Sequence, residues 1–204
     1  MTADTLERPM LHRAQALKFQ TRNTHAGLDE TIMARRPFES LQRYGLFLQV
    51  QYLFHRDINA LYAHPELDRM LPDLEGRRRF PLVALDLADI GVSTPSAHQA
   101  PAFASGDIDI PTALGWLYVA EGSNLGAAFL LKAAAGLGLS EHLGARHLGA
   151  APEGRGLHWR TFVAALDAPE MDEMSEARVS AGARAAFARV RALVDRFFPH
   201  APQD

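Results

Sequence analysis

The chain has 204 residues, a length that suits one ordinary domain with a sizeable core. With 48% hydrophobic and 22% charged residues and a formal net charge of -3, it has a soluble globular profile and no overall field that would draw nucleic acid or an anionic membrane. It has no cysteine, which excludes disulfides, thiolate metal sites, Fe–S clusters and thiol nucleophiles and agrees with an expected cytoplasmic location.

The opening stretch, MTADTLERPMLHR, is charged and lacks the apolar run of a secretory signal; residues 1–10 are expected to form a flexible arm ahead of one domain over 11–204. Ala14, Leu17, Thr21, His25, Leu28 and Ile32 recur at spacings of three and four, which predicts a helix over 12–34 closed by Arg35-Arg36-Pro37. A second, long helix is expected over 39–63, with Leu41, Tyr44, Leu48, Gln51, Tyr52, His55 and Ile58 on its face. Pro65 and Pro72 bracket a short helical piece, and another helix is expected over 76–90. The arginines of GRRR at 76–79 then read as a solvated helix start, with a docking patch for an acidic partner as the less common use. After the loop VSTPSAHQAPAFASGD, Asp109 or Asp107 caps a helix that runs to about 135, with Pro111 in its first turn. Two more helices are expected over 156–166 and 173–197. No stretch alternates as a strand does, and nothing repeats, so the fold class is all-α.

The helix beginning near 110 poses the chemical question. Gly122 and Gly126 share one of its faces, and each costs a helix ~1 kcal/mol relative to alanine. Glycine lets another body approach the backbone because no Cβ intervenes. A second helix is the common occupant of such a face, and a flat ligand is the more specific one. Glu121, Asn124 and Lys132 in the same apolar run argue against a membrane span. On the first helix His25 lies among apolar positions, with Asp29 one turn on, where its carboxylate can reach one ring nitrogen. A histidine so placed is more often a core residue than a metal ligand. Lys18 and Arg22 flank the same side, as cations at the rim of a pocket for an anionic amphiphile would. The remaining histidines show no metal-binding spacing, and Ser123 lacks the strand–turn–helix setting of a nucleophile.

Three stretches in order, TRNTHAGLD, ALGWLYVAEGSNLGAAFLLKAA and GARHL with HWRTFVAALD, resemble a heme oxygenase of the bacterial, biliverdin-producing type, and the resemblance spans about 12–197. It implies heme held between a proximal and a distal helix. His25 falls on the family's iron ligand, and Gly122 and Gly126 on the distal glycines that bring backbone over the heme face. A neutral histidine ligand leaves ferrous heme able to bind dioxygen. Mammalian-type members carry an aspartate after the first distal glycine; Ser123 stands there here, as in some bacterial relatives whose distal water is held elsewhere, at positions matching Gln51, Arg79 and His147. Lys18 and Tyr118 match the propionate anchors of members that cut the α-meso carbon, with Thr21, Arg22 and Arg160 nearby, so biliverdin IXα is the expected product along with CO and ferrous iron. Met33 replaces a lysine used by a branch with other regiochemistry. With no flavin or nicotinamide motif in the chain, electrons are expected from a ferredoxin or flavoprotein reductase, and the expected state is a monomer. A heme carrier or sensor would use the same binding residues, although it would not need the glycine face. Enzymes of thiaminase type rely on a cysteine this chain lacks, and a purely structural bundle would bind no heme.

Overall fold

The computed structural model describes residues 12–97 and 99–198, so the expected arm at 1–10 lies outside the described residues. Seven α-helices follow one another: α1 (Arg13–Ala34), α2 (Leu41–Asp57), α3 (Pro65–Met70), α4 (Phe80–Asp89), α5 (Ile110–Ala135), α6 (Arg155–Asp167) and α7 (Glu173–Phe197), with 3-10 turns at Asn59–Ala63, Glu75–Arg77 and Arg146–Leu148. Among the described residues there is no strand, only bridges from Ser140 to Leu143 and Gly144, so the all-α expectation holds. No helix among them is long and apolar enough to cross a membrane.

Helix ends are set by local chemistry. Ser40, Asp109 and Asp172 each accept a hydrogen bond from the backbone N–H three residues on, capping α2, α5 and α7. The first turn of α1 is served from outside: Asp167 accepts the N–H of Ala14 at 2.8 Å, and Arg13 pairs with Glu176 at 2.6 Å. The end of α1 falls where Pro37 predicted, with Arg36 in the left-handed region at φ 47°.

Two predicted helices are shorter than expected. The helix over 39–63 stops at Asp57, whose carbonyl accepts the N–H of Phe103 at 3.0 Å and whose carboxylate meets Arg189 at 2.6 Å; the chain continues as a 3-10 turn. The helix over 76–90 begins only at Phe80. Started at 76, it would have put Pro81 in its second turn against a carbonyl one turn back; started at 80, Pro81 sits harmlessly in the first turn.

The core is centred on α5. It packs most extensively along α7, where a Cβ on Gly115 would come within 2.1 Å of the Val179 carbonyl oxygen and one on Gly182 within 2.3 Å of that of Thr112. Leu114, Leu117, Ala120, Val179, Ala183 and Ala186 fill the seam. α1 lies on α7 and α6, α2 on α7 and α4, and α6 on α5.

Candidate active site

α1 and α5 are both seated on α6 and α7 without packing along each other. Thr21 of α1 and Tyr118 of α5 are near enough for the Thr21 side chain to oppose part of the burial-driven rise in the Tyr118 phenol, while the Thr21 hydroxyl donates to the Leu17 carbonyl at 2.8 Å. Burial holds the Tyr118 phenol above its usual range, so it stays neutral. One helical turn past this contact lie His25 on α1 and Gly122 on α5, with Gly126 a further turn on.

The His25 side chain is 57% exposed, and its Nδ1 lies 3.0 Å from Asp29 Oδ2, the i+4 contact expected from the sequence. Its ring stands edge-on to Phe187 of α7, 5.8 Å between centroids, which steadies the ring from below. With Nδ1 engaged, Nε2 is the nitrogen left for a ligand role. His25 is therefore not a core histidine. The glycine pair does not serve helix packing either. A Cβ on Gly126 would meet nothing within 4 Å, and one on Gly122 only the Trp159 indole at 3.8 Å. The glycines that do serve helix packing are Gly115 and Gly182.

Lys18, Arg22 and Arg160 are exposed, and the Arg22 guanidinium lies 5.8 Å from the centroid of the Phe19 ring. Large apolar side chains are left in the open on the same two helices: Phe19 at 70%, Phe129 at 64%, Leu125 at 42% and Met33 at 40%. Such a concentration marks a surface that binds something apolar. Phe129 stands three residues past Gly126 and is a site candidate that sequence reading missed; an aromatic one turn beyond the glycine pair was its only signal.

The polar candidates divide. Arg79 and His147 are buried, and Gln51 is half-buried. His147 is no surface residue: its Nδ1 lies 2.7 Å from Asp86 Oδ2, and Asp86 also accepts the backbone N–H groups of Arg146 and His147. Burial pushes the Asp86 carboxyl up, but these hydrogen bonds outweigh it and hold the group below the usual carboxylate range. Ser123 is exposed, and its hydroxyl donates to the Ala120 carbonyl of its own helix at 2.7 Å, which leaves it only its lone pairs to offer a water. The solvated reading of GRRR is overturned. Arg77 is 2% exposed and pairs with Glu121 at 2.9 Å, and Arg79 is 7% exposed. Arg78 alone of the three reaches out, to Asn59 Oδ1 at 2.7 Å. Sequence reading gave no role to Asp86, His55, Glu121 or His158, all buried. The acid at the centre of α5 was the signal for the last two, because a carboxylate there must find a cation.

α1 carries an exposed histidine and α5 turns bare glycine backbone to open space, with exposed cations and apolar side chains nearby, an arrangement able to take a flat ligand that carries anionic groups. A sequence model of the heme oxygenase family matches residues 11–196. Heme oxygenase PigA of Pseudomonas aeruginosa is 41% identical over 186 residues, covering 91% of this chain and 93% of that protein. The crystal structure of the NO- and CO-bound heme oxygenase from Neisseria meningitidis superposes with a TM-score of 0.87 at 39% identity, covering 96% of each chain. The chain belongs to the heme oxygenase family, whose members are enzymes that degrade heme.

Proposed function

We propose that heme lies between α1 and α5, with His25 Nε2 as the protein ligand to iron and the backbone at Gly122 and Gly126 over the opposite face. The observation that carries this reading is the open space at Gly126, where even a methyl group would touch nothing. The donor set suits the group: an imidazole backed by Asp29, exposed Lys18, Arg22 and Arg160 for the two propionates, and exposed Phe19 and Phe129 for the apolar porphyrin. Tyr118 and Thr21 complete the propionate end, and the Tyr118 hydroxyl is a neutral donor there.

When bound, heme supplies the iron that takes dioxygen and the meso carbon that is cut. The chain's part is positional. Glycine backbone leaves space for a diatomic molecule and excludes bulk. The Neisseria relative, solved with NO and CO bound, shows that such a fold admits diatomics. Gln51, Arg79, His147 and the lone pairs of Ser123 hold water on that side. None of them is a carboxylic acid, and the bare backbone at Gly126 adds no side-chain proton donor on that side. Lys18 and Tyr118 would hold the propionates as the α-meso-cutting members do, and the expected products are biliverdin IXα, CO and ferrous iron. The enzyme acts as a monomer and takes electrons from a ferredoxin or flavoprotein reductase.

The test is a hemin-loaded turnover in air with a reductase or mild chemical reductant and catalase present. The Soret band is expected to decay as a broad red band grows, and chromatography of the extracted pigment is expected to give mainly the IXα isomer. A β or δ isomer as the main product would overturn the regiochemistry, and a stable Soret band with a competent reductase would leave a heme carrier.

A further inference from the structure

Two carbonyls inside α5, one turn apart, accept a hydrogen bond from a side chain. The Ser123 hydroxyl donates to the Ala120 carbonyl at 2.7 Å, and Arg155 Nη1 donates to the Asn124 carbonyl at 2.8 Å. Residues four apart lie on one side of a helix, so both extra bonds load the same edge of α5. The second falls between Gly122 and Gly126, where the chain resists bending least. An outside donor draws a helical carbonyl outward and weakens its bond within the helix, which is a recognised cause of a bend.

Arg155 is itself held. It is the first residue of α6, set by a turn at Gly154, whose φ is 84°. Its Nη2 donates to the Leu148 carbonyl at the end of the 3-10 turn Arg146–Leu148. That turn is fastened to α4, because Asp86 accepts the backbone N–H groups of Arg146 and His147. One turn further along α6 stands Trp159, whose indole a Cβ on Gly122 would meet at 3.8 Å. The glycine stretch therefore rests on α6 at Gly122 and Asn124 and is open at Gly126. Arg155 is half-buried, and its planar guanidinium bridges two carbonyls from different parts of the chain, a geometry that a single ammonium does not reproduce.

We propose that Arg155 is a positioning residue for the heme face of α5: by holding the Asn124 carbonyl between the two glycines, it fixes the height of the bare backbone over the face where a diatomic molecule binds. The inference rests on the heme reading above. Arg155 acts through the α5 backbone and not on the substrate. Glycine at 122 and 126 removes the side chains that would wedge the helix in place, so this stretch depends on a tether from outside. With the tether made, the space beside the bare backbone keeps one size. Without it, the stretch moves between positions nearer to and further from the ligand.

The experiment compares wild type, Arg155→Met and Arg155→Lys. In the heme-free proteins, amide hydrogen exchange across 122–128 is expected to run about tenfold faster in Arg155→Met, with the α7 amides unchanged and Arg155→Lys in between. In hemin complexes reduced under carbon monoxide, Arg155→Met is expected to keep the wild-type Soret position, to broaden the C–O stretching band and to release carbon monoxide several times faster, again with partial recovery in Arg155→Lys. A merely structural loss would raise exchange throughout the chain and not at 122–128 alone. If Arg155→Met does not fold, Arg155→Lys, which keeps the charge and the stem, carries the same comparison. Exchange at 122–128 and carbon monoxide release that match wild type in both variants would overturn the positioning role and leave the heme reading intact. A wild-type protein that forms no Soret complex would overturn the heme reading and, with it, the heme-facing role of Arg155.

Discussion

Gly115 of α5 and Gly182 of α7 let the two longest helices meet backbone to backbone: a Cβ on Gly115 would lie 2.9 Å from the Gly182 carbonyl carbon. About three turns further along α5, Gly126 faces nothing within 4 Å. The same residue type serves packing at one point of α5 and leaves space at another, and mutation separates the two. Gly115→Ala is expected to destabilise the heme-free protein by about 2 kcal/mol in urea melts, because backbone must move. Gly126→Ala is expected to stabilise it by up to ~1 kcal/mol through helix propensity. Gly126→Val is expected to cut turnover sharply while the heme-free fold persists. A Gly126→Ala variant as unstable as Gly115→Ala would contradict the open-face assignment.

The Arg77–Glu121 pair, 2.9 Å apart and almost wholly buried, should be strongly asymmetric to mutation. Arg77→Ala is expected to cost about 3 kcal/mol or more, since it strands the Glu121 charge behind the glycine face. Arg77→Lys should recover only part of this, because the guanidinium also holds the carbonyls of Pro72 and His158. Denaturant midpoints of the three proteins give the comparison.

Asp86 ties together the 3-10 turn that carries His147. Asp86→Asn is expected to cost about 2 kcal/mol, and to loosen the loop around Gly144 that also accepts the Tyr44 hydroxyl. A carboxyl held below its unfolded value contributes stability above that value and loses it as pH falls through the folded one. The Asp86 contribution should therefore vanish only in strong acid, below the ordinary carboxylate range.

His55 titrates in the opposite sense. Burial, then the neighbouring His147 and Arg79, lower it from 6.5 to about 3. The folded protein holds this ring neutral while the unfolded chain binds a proton below about 6.5. Stability is therefore unpenalised above 6.5 and falls as pH drops from there towards about 3. The slope is ~1.4 kcal/mol per pH unit for one such group. His55→Gln is expected to flatten this slope in urea melts taken between pH 6 and pH 4. An unchanged slope would place the unfolding proton elsewhere.

Much of this was legible in the sequence. The boundaries of α5 and α7 fall within a residue of prediction because their caps are local: Asp109 before Thr112, Asp172 before Ser175. The His25–Asp29 contact and the shared face of the glycine pair were legible because each follows from helical spacing within one element. What sequence could not show was made by distant partners. The break after Asp57 is drawn by Phe103 and Arg189, and the inward turn of Arg77 by Glu121, 44 residues away. The pairing of His147 with Asp86 likewise spans 61 residues and needs the fold before it exists.

The ligand role of His25 is tested most directly by titrating hemin into wild type and His25→Ala and following both spectra after reduction in air. Wild type is expected to give a sharp histidine-ligated Soret complex that converts to biliverdin. His25→Ala is expected to keep its helical circular dichroism, lose that ligation spectrum and yield no biliverdin. A His25→Ala protein with the wild-type Soret complex and the wild-type rate of biliverdin formation would contradict the placement of heme between α1 and α5.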